Sequence, residues 1–451
     1  MKNKVVVLCC AWICCVLFGF MCLKTIEQPI VVVAKEKSKI ILITPKPSPT
    51  PTVVPKTTKA LIITLRPKQI VTNTPIPTNT PTSTPTPTVT NTPTPIPTST
   101  PTPTPKPSVT FTMVGDILLH TRVLNYSLQK DNTYNFNKIF ENVEEKIEEA
   151  DVALVNQEVI LGGTELGVSG YPSFNAPYEV GDALVNAGFD VVLHGTNHAL
   201  DKGKNGLLRC IKFWKKTYPD IAVVGIQESA KEQEDICIIE VDGIRIAILN
   251  YTYGTNGIAL PKDMPYAVDL LKEEKVIADL KKAEEQADFT IVCPHWGTEY
   301  SLTPDNTQKK WTKIFLNYGA DLVLGTHPHV IEPIEWIVDG KTGNKMLVYY
   351  SIGNFVNWTS SKGNKVANRM VGGLANITIE LDEQEKAFIA DYGVEAVVCH
   401  VESKVNGITV YPLAEYTKEL ANKNEIRKQD SNFSLNYCVD LCNQVWGDLW
   451  K

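Results

Sequence analysis

Between Pro45 and Pro107 the chain is dominated by Thr-Pro pairs, as in Pro81-Thr82-Ser83-Thr84-Pro85-Thr86-Pro87, and this tract decides where a fold can be built. Proline donates no backbone hydrogen bond and holds φ near about −65°, so such a tract cannot supply a helix interior or a central strand. It reads as a disordered, extended polyproline-like spacer with threonines open to O-glycosylation. At about 3.1 Å per residue it reaches up to about 200 Å, an upper bound because Leu61-Ile62-Ile63-Thr64-Leu65 interrupts the pattern. Any core of this 451-residue chain must therefore lie after it, from about Ser108 onward.

The segment before the tract sets the expected address. Lys2 and Lys4 precede an uncharged apolar run from Val5 to Leu23, closed by Lys24. About 19 helical residues at ~1.5 Å each give ~28 Å, close to the ~30 Å hydrocarbon core and longer than the ~7–15 apolar residues of a signal peptide. The expectation is a transmembrane helix within residues 1–24 and a disordered linker over 25–107. The globular part is then extracytoplasmic on a single-pass protein of the cell membrane. Cleavage after the Val32-x-Ala34 step is the alternative. Lysines flank the run on both sides, so the positive-inside rule orients it only weakly. The stalk suggests a domain held in or beyond a cell wall.

A net charge of −6 with no basic stripe argues against nucleic acid as a partner. Five of the eleven cysteines fall in the apolar run. The others, Cys210, Cys237, Cys293, Cys399, Cys438 and Cys442, show neither zinc-type CxxC spacing nor a dense disulfide framework. Short β-rich runs at Val109–Val114, Val152–Val155, Val191–His194, Ile221–Val224, Ile244–Tyr251, Phe289–Pro294, Leu322–Gly325 and Met346–Ser351 read as strands. Between them, Phe136–Ala150, Ala183–Ala187, Asn205–Tyr218, Leu270–Gln286 and Gln308–Tyr318 carry apolar residues at helical spacing. That alternation predicts an α/β fold over 108–375, with residues 376–451 adding strands and a final helix that complete it or are appended to it.

All but one of the seven histidines stand where an apolar run gives way to a loop: His120, His194, His198, His295, His327 and His329. In α/β folds, sites gather beyond the carboxyl ends of strands. Asp116 ends the run Phe111–Gly115, where a charge is costly unless paired or metal-bound; a helix N-cap is the other reading. Asn156 and Glu158 follow Val152–Val155 on one face of an extended chain. In His194-Gly195-Thr196-Asn197-His198-Ala199-Leu200-Asp201, Asn197 can offer a carbonyl oxygen to a metal or cap a helix. Asp201, three residues on, can orient the His198 imidazole as a proton donor or substrate binder. His194 reads as packing, and His120 as packing or a further ligand. His295 opens His295-Trp296-Gly297-Thr298-Glu299-Tyr300, whose aromatic and acidic neighbours can shield a site or hold a polymer. In Gly325-Thr326-His327-Pro328-His329 an extended backbone would project both imidazoles from one face as paired ligands, or as one ligand and one phosphate contact. Asn354, in Ser351-Ile352-Gly353-Asn354-Phe355, can close the pocket or form a turn.

Taken in order, Gly-Asp, Asn-x-Glu, Asn-His-x-x-Asp, His-Trp-Gly-x-Glu-Tyr, Gly-x-His-Pro-His and Ser-x-Gly-Asn-Phe, these motifs resemble the CapA family of capsule and poly-γ-glutamate synthesis proteins over about Val109 to Val356. The family is similar to the calcineurin-like metallophosphoesterases. The resemblance implies a metallophosphatase-like β-sandwich flanked by helices, with a two-metal site. Asp116, Glu158, Asn197, His295, His327 and His329 then stand as metal ligands, with Glu158 in the bridging place. His198 is the general acid with Asp201 behind it, and Asn156, Glu299, Tyr300 and Asn354 face the substrate. Asp116 lacks the superfamily's Asp-x-His form, and Glu158 replaces an aspartate, which leaves metal number open between two strong sites and one strong with one weak.

The implied cofactors are divalent ions, two in number by that resemblance, with manganese, iron, zinc and calcium not separable because mixed nitrogen and oxygen ligands select weakly. The implied partners are an anionic polymer or phosphoester substrate, the membrane and capsule synthase subunits. Phosphoester hydrolysis is the default chemistry of such a site. The alternatives are a non-catalytic polymer-binding or export partner of a membrane synthase, and a general extracytoplasmic phosphoesterase.

Overall fold

The computed structural model describes residues 31–32, 61–64, 106–403 and 407–450. The expected transmembrane segment at 1–24 and most of the 25–107 linker lie outside the described residues. Among the described residues no helix is long and apolar enough to cross a membrane.

In chain order the strands are β1 Val31–Val32, β2 Leu61–Thr64, β3 Ser108–Leu118, β4 Val152–Asn156, β5 Val191–Leu193, β6 Ala222–Val224, β7 Cys237–Val241, β8 Ile244–Thr252, β9 Phe289–His295, β10 Leu322–Leu324, β11 Ile334–Val338, β12 Lys345–Tyr349, β13 Asn354–Asn357, β14 Val371–Leu381, β15 Ala387–Glu402 and β16 Gly407–Pro412. The helices are α1 Thr121–Ser127, α2 Glu144–Glu148, α3 Glu179–Asn186, α4 Gly203–Thr217, α5 Ala230–Glu234, α6 Glu273–Gln286, α7 Asn306–Asn317, α8 Lys418–Lys423 and α9 Leu435–Trp446. One sheet runs β16-β15-β14-β3-β4-β5-β6 with β13 also paired to β3; the other runs β1-β11-β12-β10-β9-β8-β7-β2. Each has a parallel half, β3-β4-β5-β6 in the first and β8-β9-β10-β12 in the second.

Period-two alternation decides which side chains lie between the sheets. On β8, Ile246 and Ile248 join the large core shared with Phe111, Met113 and Leu154 of the first sheet. Ala247 and Leu249 face outward, where Val276, Leu280 and Ala283 of α6 and Trp311, Ile314 and Phe315 of α7 cover them. The result is a mixed α/β architecture of two sheets with helices outside, as the alternation predicts.

Two expectations change, and one of two alternatives left open is taken. Two pieces of the expected disordered linker form strands, β1 against β11 and β2 against β7. Both are free of proline and rich in β-branched residues, so they can join a ladder where Thr-Pro repeats cannot. The single helix expected over Phe136–Ala150 is instead a 3₁₀ turn, Asn137–Ile139, followed by α2. The break falls at Asn142, whose amide is spent on Thr409 Oγ1 at 2.9 Å and the Val410 carbonyl at 3.3 Å on β16. The C-terminal part completes the domain: β14 pairs with β3 along seven registered positions from Ser108 to Val114, and Trp446 Nε1 donates to the Glu332 carbonyl at 3.0 Å.

Glu332 is fully buried beside that contact. Gln308, the N3 residue of the α7 capping box, donates to its Oε2 at 2.6 Å, while Oε1 has no partner. Burial first, then Asp305, push its carboxyl up to about 8 against the pull of Gln308 and Lys309. A folded value above the unfolded 4.5 means the native state holds the extra proton. Stability from this group is therefore complete below pH 4.5 and is lost as pH rises through 8. Glu332→Gln is expected to match the wild type near pH 4 and to exceed it at pH 8 by on the order of 2–3 kcal/mol. Urea unfolding in chelator across that range measures it, and parallel pH profiles for the two proteins would refute the assignment.

Candidate metal centre

The two parallel halves point their carboxyl ends at one another, and the loops leaving them meet in one place. Asp116 lies on β3 opposite Asn354 of β13. Gly115 permits that approach, since a Cβ there would sit 1.9 Å from the Gly353 carbonyl oxygen. β4 delivers Asn156, Gln157 and Glu158, and β5 leads into His194–Asp201. From the other sheet β9 delivers His295, which bridges in parallel to Thr326 just beyond β10. His327 and His329 follow at φ 97° and 58°. The extended backbone expected for this pair is therefore corrected: both histidines occupy left-handed conformations, which non-glycine residues adopt at a cost of ~1–3 kcal/mol each when the surroundings enforce it. Two hydrogen bonds enforce them. Asp116 Oδ2 accepts from the His327 backbone N–H at 3.3 Å, and Asn354 Nδ2 donates to the His329 carbonyl at 3.0 Å.

Glu158 stands at the centre, fully buried, with neither carboxylate oxygen hydrogen-bonded among the described residues. Its Oε1 lies 3.8 Å from His198 Nε2, 3.7 Å from His295 Nε2 and 3.7 Å from His329 Nε2. His329 Nδ1 meets Asp116 Oδ2 at 3.0 Å and Asn354 Oδ1 at 3.1 Å. His295 Nε2 meets Asn197 Oδ1 at 2.9 Å, and its Nδ1 meets Thr326 Oγ1 at 3.0 Å. His198 Nδ1 meets Asp201 Oδ2 at 2.7 Å, and that carboxylate also accepts from the Phe174 N–H at 2.7 Å. Two groups of donor atoms converge within 4.8 Å, Glu158 with His295 and His327, and Asp116 with Glu158 and His329. Glu158 belongs to both.

The electrostatics are those of a site short of positive charge. Burial drives the Glu158 carboxyl well up, since water is excluded and no donor replaces it. Burial, and then the neighbouring imidazoles, hold His295 and His327 well below the usual histidine range, so both are neutral and carry lone pairs free to ligate. For His329 burial pulls downward, but Glu158 and the Asp116 carboxylate outweigh it and raise the imidazole to about 9. A buried carboxylate with two partnerless oxygens, ringed by imidazole nitrogens, fits a divalent cation better than any protein donor present. Neutral His295 and His327 need lose no proton to ligate, whereas Glu158 and His329 must, so cation affinity rises with pH.

Asp116, Glu158, Asn197, His295, His327 and His329, the expected ligands, are thus brought together, with His198 and Asp201 alongside. Asn156 and Asn354 differ from the substrate-facing role expected of them. Both are buried, and their side chains are committed to holding other residues: Asn156 Nδ2 donates to Asp116 Oδ1 at 2.7 Å, and Asn354 braces His329. Glu299 and Tyr300 lie exposed at the rim. His194 is packing, its Nε2 accepting from Trp214 Nε1 at 2.9 Å. His120 caps the start of α1, edge-on to Phe174 at 5.3 Å.

Three neighbours escaped the sequence. Tyr253 packs its ring 4.6 Å from His327. Asn256 accepts from Asn197 Nδ2 at 3.2 Å and lies 3.3 Å from His198 Nδ1. Arg369 stacks over Tyr300 at 3.5 Å. Tyr253 and Asn256 come from a loop and Arg369 from a short 3₁₀ turn, none with a periodic signature; the available signal was Tyr253-Gly254-Thr255-Asn256-Gly257, a polar turn directly after the apolar run of β8.

The family model described as bacterial capsule synthesis protein PGA_cap matches residues 110–359, more than half of the chain and every residue of this cluster. Over 267 residues the chain is 31% identical to the capsule biosynthesis protein CapA of Bacillus anthracis, covering 56% of this chain and 62% of that protein. Over 183 residues it is 32% identical to the PGA biosynthesis protein CapA of Bacillus subtilis, covering 40% of this chain and 46% of that one. The matches therefore span less than two thirds of the length of either relative. Among solved structures, one assigned as a 5′-nucleotidase from Staphylococcus aureus, in complex with alpha-ketoglutarate, superposes with a TM-score of 0.42 and 14% identity, over 64% of this chain and 54% of that one.

Proposed function

Because the chain belongs to the bacterial capsule synthesis protein family, we propose that it serves the synthesis or export of an anionic surface polymer of the poly-γ-glutamate kind, through a two-cation, hydrolase-like centre built on a metallophosphatase-like scaffold. The observation that carries the centre is Glu158, buried with both oxygens unpartnered and three imidazole Nε2 atoms within 3.8 Å of one of them. Glu158, His295 and His327 would hold one cation, and Asp116, Glu158 and His329 the other, with Asn197 Oδ1 beside the first. Divalent ions so held supply charge neutralisation at a phosphoryl or acyl oxygen and lower the pKa of a water.

This chain's own residues do the rest. Asp201 accepts from His198 Nδ1, which leaves Nε2 as the atom that gives a proton to a departing oxygen. Phe174 packs against that ring at 4.6 Å and keeps water from one side of it. Asn156 and Asn354 fix Asp116 and His329 so that neither must reorganise. On this reading the domain is extracytoplasmic, tethered by residues 1–24, and works beside the subunits of a membrane synthase.

The test pairs chemistry with biology. Purified protein with added Mn²⁺ is expected to hydrolyse a chromogenic phosphodiester, with chelator abolishing turnover. Cells lacking the gene are expected to lose γ-linked polyglutamate from their surface. Turnover without any change in surface polymer leaves a general phosphoesterase; a lost polymer without turnover leaves a binding or export role.

A further inference from the structure

Arg369 is a cation with little to hold. It is the fourth residue of the 3₁₀ turn Val366–Met370 between β13 and β14, and its guanidinium carbon lies 3.5 Å from the centroid of the Tyr300 ring. Tyr300 is 45% exposed, and its ring stands 6.0 Å from that of His329. Among the described residues Arg369 Nε is buried without a hydrogen-bond partner, and the side chain's hydrogen bond is a long one, Nη1 to Ser361 Oγ at 3.4 Å. Among the described residues it makes no ion pair. A guanidinium carries five donors in a rigid fork shaped for carboxylate and phosphate, so leaving it half-buried and unpaired costs energy that a ligand would recover.

Its position is fixed from the metal-ligand side. Asn354 Nδ2 donates to the Arg369 carbonyl at 3.0 Å and to the His329 carbonyl at 3.0 Å, so one amide ties the arginine turn to the ligand loop. Tyr300 in turn donates its backbone N–H to the Pro328 carbonyl at 2.7 Å, between the two ligand histidines. The stack of guanidinium on phenol is thereby held at the edge of the cluster. Around the rest of the rim stand the exposed carboxylate of Glu299, Tyr253, 47% exposed and 4.6 Å from His327, and Tyr171, exposed and edge-on to Phe174. The two tyrosines offer ring faces, and none of the three is a second cation.

We propose that Arg369, held on the face of Tyr300, is an oxyanion subsite that grips a second carboxylate or phosphate of the substrate, next to the anionic group presented to the Glu158 cluster. The substrate class is then a molecule with at least two neighbouring oxyanions, as a polyanion has in every pair of adjacent units. The assignment rests on the reading of that cluster as the working centre. Tyr300 supplies the platform.

Titration calorimetry on the full-length, Mn²⁺-loaded protein tests this with a γ-linked glutamate trimer, a glycerol-phosphate dimer and inorganic phosphate. Arg369→Ala is expected to weaken whichever of the two larger probes binds by about tenfold or more, and Arg369→Lys by several-fold, because a point charge cannot replace the fork. Inorganic phosphate, with one oxyanion, is expected to be indifferent to Arg369. The trimer and the dimer decide between carboxylate and phosphate. Equal affinity of wild type and Arg369→Ala for both larger probes overturns the subsite, as does binding of neither probe by a wild type with full metal content. A wild type that takes up no metal overturns the underlying centre instead. Unchanged metal content and melting temperature in the variants show that any loss belongs to the subsite.

Discussion

Glu158→Gln is expected to strip the protein of its cations and yet stabilise the metal-free fold. The carboxylate is shared by both ligand groups, so its loss removes a donor from each at once. Removing a residue that merely supports a ligand costs ~10–100-fold in metal affinity, and removing a shared ligand is expected to cost more than about 100-fold. Without cations the same carboxylate is a liability, because burial raises its pKa and no donor satisfies either oxygen. A folded value above the unfolded one contributes stability that is complete in acid and lost as pH rises, so near neutrality the charge opposes folding. An amide of the same shape carries no charge there, and a gain on the order of 1–3 kcal/mol is expected in chelator. Elemental analysis of protein equilibrated with Mn²⁺ reads the first half of the prediction, and urea unfolding in EDTA the second. Two ions per chain retained by the variant at wild-type affinity would sink the shared-ligand assignment.

His198→Ala is expected to lower phosphodiester turnover by about 10²–10⁴ with metal content unchanged, the range for loss of a positioned proton donor. His198 lies beside the cluster, 3.8 Å from Glu158, and is bonded to Asp201 at 2.7 Å. Asp201→Asn is expected to cost most of the same factor, because an amide can donate to Nδ1 and so favour the wrong tautomer. If His198→Ala loses metal in proportion to activity, the residue is a ligand and the acid must be sought elsewhere.

The parallel strands could be read in advance because strands buried on both faces are written as short apolar runs, and Phe111–Val114, Val152–Val155 and Phe289–Val292 end abruptly at Asp, Asn and His. The charged or ligating residue after each run marked the end of the strand and the start of the centre together. Period two, by contrast, was the wrong guide past Thr326, where the backbone at His327 and His329 is dictated by Asp116 and Asn354 from far along the chain. Helical spacing was likewise overruled at Asn142 by a contact with β16. Arg369, Tyr253 and Asn256 carry no periodic signature, since a loop residue is placed by whatever its loop is tied to. The N-terminal segment that gives the expected address stands outside the described residues, and its role is part of the proposed function.

The bond between His329 Nδ1 and Asp116 Oδ2 joins residues 213 positions apart. A contact of that sequence separation forms only after the chain has paid the entropy of closing everything between. The ligands from β3 and from the loop after β10 thus exist as a set only once the first and last thirds of the domain have docked. On the proposed reading of the centre, cations then arrive as a seal on a finished molecule rather than as a nucleus for folding: a half-folded chain offers them scattered single ligands, and their uptake would report that the two sheets have closed.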